Sequence, residues 1–242
     1  LSGVARVAHG LGLSAKELKQ PEISLPLSRA MYLDGALKQE KRLKFERDDG
    51  FRRMIRDFRT VEDSDFQIPP SLAGVLRGYQ KAGYRWLRTL DAYRFGGILA
   101  DDMGLGKTLQ VLACLLALKR EGRANRPSLI VCPASLVLNW GAEAEKWTPE
   151  LRVCLLGGTA AERKAQIQRA REFDLVVTSY DLLRRDGEAH AENEYYACVL
   201  DEAQYIKNHQ TKGARVARVL RATVRLALTG TPIENRLSEL WS

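Results

Sequence analysis

The sequence has 242 residues, 45% of them hydrophobic and 28% charged, a balance that suits a folded globular protein and excludes global disorder. It holds no apolar run of about 18 residues, which argues against a membrane-spanning helix, and the mildly apolar 1–12 segment is too short for a secretory signal. The formal net charge of +8 favours polyanionic partners without naming one.

From the N-terminus, residues 1–68 are charge-rich and carry no run of buried strands. They are read as the end of an upstream accessory domain plus linker, a short α+β segment. Leu43 and Phe45 alternate with charge over 42–47, which suits a short half-buried strand. Phe51, Met54, Ile55 and Phe58 recur at i, i+3, i+4, i+7 and predict one apolar helix face, with Asp48 or Asp49 as cap. Arg52, Arg53, Arg56 and Arg59 surround that face. They suit a solvated surface, with nucleic-acid contact as the sharper alternative. Pro69 and Pro70 then resist helix and sheet alike and mark a boundary.

Residues 69–242 alternate apolar runs with helical patterns. Strands are expected at 97–100, 128–132, 153–156, 175–178, 197–200 and 225–228, and helices at 108–119, 136–147, 160–171 and 212–221. This rhythm predicts βαβ units and an α/β lobe with a mostly parallel sheet, whose ligands bind beyond the carboxyl ends of the strands. Cys114, Cys132, Cys154 and Cys198 form no C-x-x-C pair and read as small buried hydrophobes. His9, His190 and His209 sit among polar neighbours and receive no role.

After the first strand comes Asp101-Asp102-Met103-Gly104-Leu105-Gly106-Lys107-Thr108, then a helix. Glycines let backbone N–H groups curl around phosphate oxygens, and the helix N-terminus favours an anion. Lys107 would reach the β- and γ-phosphates, and the Thr108 hydroxyl would ligate Mg²⁺. Asp101 stands where the general phosphate-loop pattern has Gly. A later strand runs into Asp201-Glu202-Ala203-Gln204. There Asp201 would hold Mg²⁺ and Glu202 would position or deprotonate water. Upstream, the Gln80 amide suits reading an adenine edge. The last strand ends in Leu228-Thr229-Gly230-Thr231-Pro232, whose hydroxyls can bond back toward Glu202 and Gln204. Without further support each is also explicable as surface or a plain turn.

In this order and spacing the set resembles superfamily-two helicase-like ATPases, and within them the Swi/Snf branch in its bacterial form. The finer matches are Leu76-Arg77-x-Tyr79-Gln80, the 102–108 loop, Ile206-Lys207-Asn208 and the 228–235 stretch. Asp at position 101 is usual in that branch. Gln204 stands where the family more often has His. The resemblance covers about 68–242 and implies an N-terminal RecA-like lobe with ATP and Mg²⁺ as cofactors. Nucleotide would be bound by Arg77, Gln80 and 102–108, catalysis would fall to Lys107, Asp201 and Glu202, and Gln204, Thr229, Gly230 and Thr231 would provide coupling. It also implies duplex DNA as partner, gripped by loops containing Ser135, Asn139, Thr178, Ser179 and Lys207. Without the resemblance, Ser135 and Ser179 read as helix caps. Trp140 and Trp147, two helical turns apart, read as core rather than base-stacking platforms.

The family motor has a second RecA-like lobe carrying arginines that act across the cleft, and the sequence stops at Ser242. The expectation is therefore a cytoplasmic, nucleoid-associated duplex-DNA translocase motor. Its isolated lobe would hydrolyse ATP poorly, since an arginine finger is worth roughly 10³–10⁵ in rate. The alternatives are a nucleotide-gated DNA- or protein-binding module without motor activity, or another P-loop class. Neither Gln80 nor the 229–232 stretch would be needed in the latter.

Overall fold

A computed structural model describes residues 2–25, 29–39, 45–102, 104–206 and 212–230. The chain divides into two compact units, 1–64 and 65–242, so the division falls slightly before the expected proline boundary. Among the described residues, no helix is long and apolar enough to cross a membrane.

In the first unit the described elements are the helices α1 (Ser2–Gly10), α2 (Ala30–Gln39) and α3 (Asp49–Arg59). The strand expected over 42–47 falls largely outside the described residues, and 45–48 have no regular structure. Helix α3 forms as its periodicity predicts, burying Met54 and Ile55, and Asp48 caps it by accepting from the Phe51 N–H at 2.7 Å. Asp34 on α2 is almost wholly enclosed, and it gathers Arg47 at 2.6 Å, Arg59 at 2.7 Å and Lys38 at 3.0 Å. Burial pushes its carboxyl up, but the Lys38 hydrogen bond and the three cations outweigh that and hold it below the usual range.

The second unit opens with α4 (Pro70–Ala73) and α5 (Gly78–Ala92), then builds one six-stranded sheet. Its strands are β1 (Gly97–Ala100), β2 (Ser128–Cys132), β3 (Val153–Leu155), β4 (Leu175–Ser179), β5 (Glu194–Leu200) and β6 (Arg221–Thr229), in the order β1-β6-β5-β2-β4-β3. Every pairing is parallel, rather than mostly so. The helices between strands are α6 (Lys107–Arg120), α7 (Val137–Trp147), α8 (Ala160–Gln168), α9 (Tyr180–Arg185), α10 (Gly187–Ala191) and α11 (Lys212–Val219). The helix expected over 160–171 ends early and resumes as a 3-10 turn, Ala170–Glu172. β2 and β4 are buried at every position because helices cover both faces. Helix α6 is apolar nearly all round and is enclosed accordingly. All four cysteines are free and buried, as expected.

His190 corrects the polar surroundings read from sequence. It is fully buried, with Nδ1 2.6 Å from the Tyr195 hydroxyl. Burial pushes its pKa down to about 4, against the opposing charge of Asp186. An unfolded histidine titrates near 6.5. Between those values the unfolded chain binds a proton that the folded chain refuses. The neutral ring's contribution is therefore complete above about pH 6.5 and is lost as pH falls toward 4. Urea unfolding should show a pH 7 to pH 4.5 loss that is larger in the native chain than in His190→Gln, by at most about 3 kcal/mol. Parallel losses in both proteins would refute the assignment.

Candidate functional site

β1, β6 and β5 lie side by side, with Ala100 level with Thr229 and Leu200 level with Ala227. Their carboxyl ends therefore bring three of the sequence motifs to one end of the sheet.

After β1 the chain turns through Gly104 at φ +83° and Gly106 at φ +69°, backbone that favours glycine. Lys107 opens α6 and is only 8% exposed. Its Nζ donates to the Asp101 carbonyl at 2.7 Å and the Asp102 carbonyl at 3.1 Å, so the loop itself solvates the buried ammonium. Gln110 Nε2 reaches Asp101 Oδ2 at 3.5 Å. Thr108 is half-buried in the same first turn, Asp102 is exposed, and Met103 lies outside the described residues.

Gln80 is buried beside this loop. Its Oε1 accepts from the Arg77 N–H at 2.9 Å, and its Nε2 donates to the Leu105 carbonyl at 3.2 Å. The amide that sequence assigns to adenine thus ties the start of α5 to the phosphate loop, with one lone pair and one N–H left over. The Arg77 side chain is exposed.

At the end of β5, Asp201 is buried. Its Oδ2 accepts from the Trp140 indole N–H at 2.9 Å and its Oδ1 from the Glu202 N–H at 2.9 Å. Its carbonyl accepts from the Tyr180 hydroxyl at 2.7 Å. Burial pushes this carboxyl up; the Trp140 and Glu202 N–H groups and the Lys107 charge offset part of that rise, while the Glu202 charge adds to it. Glu202 occupies the left-handed region at φ +49°. Its Oε2 accepts from Gln204 Nε2 at 2.5 Å, and Gln204 Oε1 accepts from the Thr229 hydroxyl at 3.1 Å. A hydrogen-bonded chain thus joins the ends of β5 and β6, as the hydroxyl at Thr229 suggested. Gly230 follows at a bend, and Thr231 lies outside the described residues.

A bacterial SNF2 helicase-associated domain matches residues 1–69, and an SNF2-related domain matches 79–242. The chain belongs to the SNF2-related family. The putative ATP-dependent helicase/translocase YwqA of Bacillus subtilis is 41% identical over 202 residues, covering 83% of this chain and 22% of that protein. The TATA-binding protein-associated factor MOT1 of Saccharomyces cerevisiae is 37% identical over 230 residues, covering 90% of this chain and 12% of that protein. Among solved structures, the Sulfolobus solfataricus SWI2/SNF2 ATPase core in complex with dsDNA superposes with a TM-score of 0.64 at 40% identity. The match covers 73% of this chain and 36% of that one. The SNF2-related chain therefore spans 22% or less of these curated relatives, and its sheet is the RecA-like lobe of such ATPase cores.

The residues expected to grip DNA divide. Ser135 and Asn139 are exposed, in the turn after β2 and the first part of α7. Thr178 and Ser179 are a correction: both lie inside the sheet rather than on its surface. The Thr178 hydroxyl is enclosed without a hydrogen-bond partner, and the Ser179 hydroxyl caps α9 by accepting from the Leu182 N–H at 3.2 Å. Lys207 lies outside the described residues. Sequence reading placed Trp140 in the core, where it is, but missed its bond to Asp201 and that of Tyr180. A buried indole N–H must find an acceptor, which was the available signal.

In this SNF2-related lobe, a Cβ at Gly106 would lie 2.4 Å from Gln80 Nε2, on backbone at φ +69°. Gly106→Ala should cost about 1–2 kcal/mol from its left-handed backbone alone. That lowers Tm by a few degrees at roughly 2–4 °C per kcal/mol. Adding Gln80→Ala should recover none of the backbone cost. A thermal melt in which the double variant regains full stability would show that the conformational argument is wrong.

Proposed function

We propose that this chain is the N-terminal ATP-binding lobe of a DNA-dependent ATPase that translocates on duplex DNA and remodels protein–DNA complexes. The observation that carries this reading is the convergence of Lys107, at the end of β1, and Asp201-Glu202, at the end of β5, with Thr229 between them. A lysine at a phosphate loop faces two carboxylates on the far side of an intervening strand. That is the arrangement needed to hold a triphosphate and orient a water.

The residues present fit ATP with Mg²⁺. The two left-handed glycines allow close backbone approach, and the φ values at Gly104 and Gly106 exclude most other residues. Lys107 would exchange loop carbonyls for the β- and γ-phosphate oxygens, and Arg77 and Gln80 lie beside that loop to complete the nucleotide-binding set. Thr108 and Asp201 would hold Mg²⁺, which supplies charge neutralisation on the phosphates. Glu202 would orient and deprotonate the attacking water, and its bond to Gln204 reports the state of that site to Thr229. Ser135 and Asn139 would contact DNA phosphates without reading sequence. The 40% identity to an ATPase core whose structure contains dsDNA supports the nucleic-acid partner. Hydrolysis by this lobe alone is expected to be slow, because arginines from a second lobe complete such sites.

ATP hydrolysis should be measured with and without duplex DNA, on this chain and on a version extended downstream, each beside Lys107→Ala. The expected result is DNA-stimulated hydrolysis by the extended protein alone, abolished by Lys107→Ala. An extended protein that binds ATP yet stays silent with DNA would make a nucleotide-gated binding module the better account.

A further inference from the structure

β5, β2 and β4 are consecutive in the sheet, with Leu200 level with Val131 and Cys132 level with Ser179. The segments leaving these strands are therefore neighbours in space. The segment after β2 contains Ser135 and Asn139, exposed positions that sequence assigned to the DNA grip, while β4 itself ends in the buried Ser179. At both Asn139 and Ser179, the next residue turns inward onto Asp201. After exposed Asn139 comes Trp140, wholly buried, whose indole N–H donates to Asp201 Oδ2 at 2.9 Å. After Ser179 comes Tyr180, whose hydroxyl donates to the Asp201 carbonyl at 2.7 Å.

We propose that Trp140 and Tyr180 are the positioning residues through which duplex DNA on the outer loops adjusts Asp201. This deepens the function proposed above and rests on it. Asn139 and Trp140 share the first turns of α7, so a phosphate that draws Asn139 outward moves the indole with the helix. The indole has one donor and no acceptor, so its bond to Asp201 is either made or lost. Tyr180 extends the link. Its ring stacks on Tyr205 with centroids 5.8 Å apart and planes 2° from parallel. The Tyr205 N–H donates to the Glu202 carbonyl at 3.0 Å. The side chain and carbonyl of Asp201 and the backbone of Glu202 thus answer to elements whose outer ends face solvent. A coupling route needs a connected element with two discrete arrangements, and under this proposal each bond is intact in one and broken in the other.

The test is a binding cycle on the 242-residue chain. The affinity of a non-hydrolysable ATP analogue with Mg²⁺ is measured with and without a saturating short duplex, while duplex affinity is read by anisotropy. Duplex should change nucleotide affinity by a factor within the roughly 5–150-fold range of allosteric coupling. Tyr180→Phe and Trp140→Phe should each bring that factor to within about twofold of one. Ser135→Ala with Asn139→Ala should weaken duplex binding and also reduce the factor at saturating duplex, because it removes the contacts that would move α7. Circular dichroism checks folding, and because Tyr180→Phe removes a single oxygen, it decides the matter if Trp140→Phe misfolds. Variants that keep the full factor at saturation overturn the proposal. So does a native chain that binds both ligands independently, which leaves the function above standing. Duplex binding without any nucleotide binding overturns both together.

Discussion

A carboxylate enclosed at the end of a central strand costs several kcal/mol unless donors and a cation compensate it, and Asp201 is such a group. The surrounding architecture follows from that compensation. One donor is the Trp140 indole, which requires the start of α7 to lie at the carboxyl end of β5. Another is the N–H of the next residue, which is reached only if the chain turns sharply. The favourable charge comes from Lys107, delivered from the far side of β6 by a glycine loop that wraps its ammonium in carbonyls. The parallel order β1-β6-β5-β2 is what brings all three within reach.

The same principle recurs elsewhere in each unit. Asp34 in the first unit draws cations from well-separated positions, and in the second Arg88 is buried in a two-pronged bond to Glu121 at 2.8 and 2.6 Å. Pairs such as Arg169–Glu172, exposed on both sides, contribute far less. Asp34 holds three cations against one carboxylate, so part of the positive charge is engaged internally and net charge alone says little about a polyanion partner.

Most of the sheet was legible because strands buried on both faces read as unbroken apolar runs; Ser128-Leu-Ile-Val-Cys is buried throughout. β5 and β6 extend further back than their apolar cores suggested, since Glu194 and Arg221 break the pattern at the sheet's amino end. The phosphate loop and the acidic strand end were legible because their chemistry is local: neighbouring residues share one job. What sequence concealed was non-local. Trp140 resembles any core aromatic until the element opposite it is known. Thr178, expected at the end of its strand, lies level with Val131 of β2 and is fully buried, which no local pattern announces. His190 has polar neighbours along the chain, yet it is fully buried with its ring against the Tyr195 hydroxyl.

Glu202 is one of two non-glycine residues in left-handed backbone among the described residues, the other being Arg94. Glu202 holds left-handed backbone at φ +49°, where an L side chain with a Cβ carries a penalty that glycine escapes. Heat selection would therefore reward glycine here and erase the carboxylate that accepts from Gln204. A library of variants sorted by thermal survival would drift toward a quieter, sturdier protein. Under the function proposed above, the same library sorted by turnover would keep the strained one, so endurance and work would pull in opposite directions at a single peptide unit.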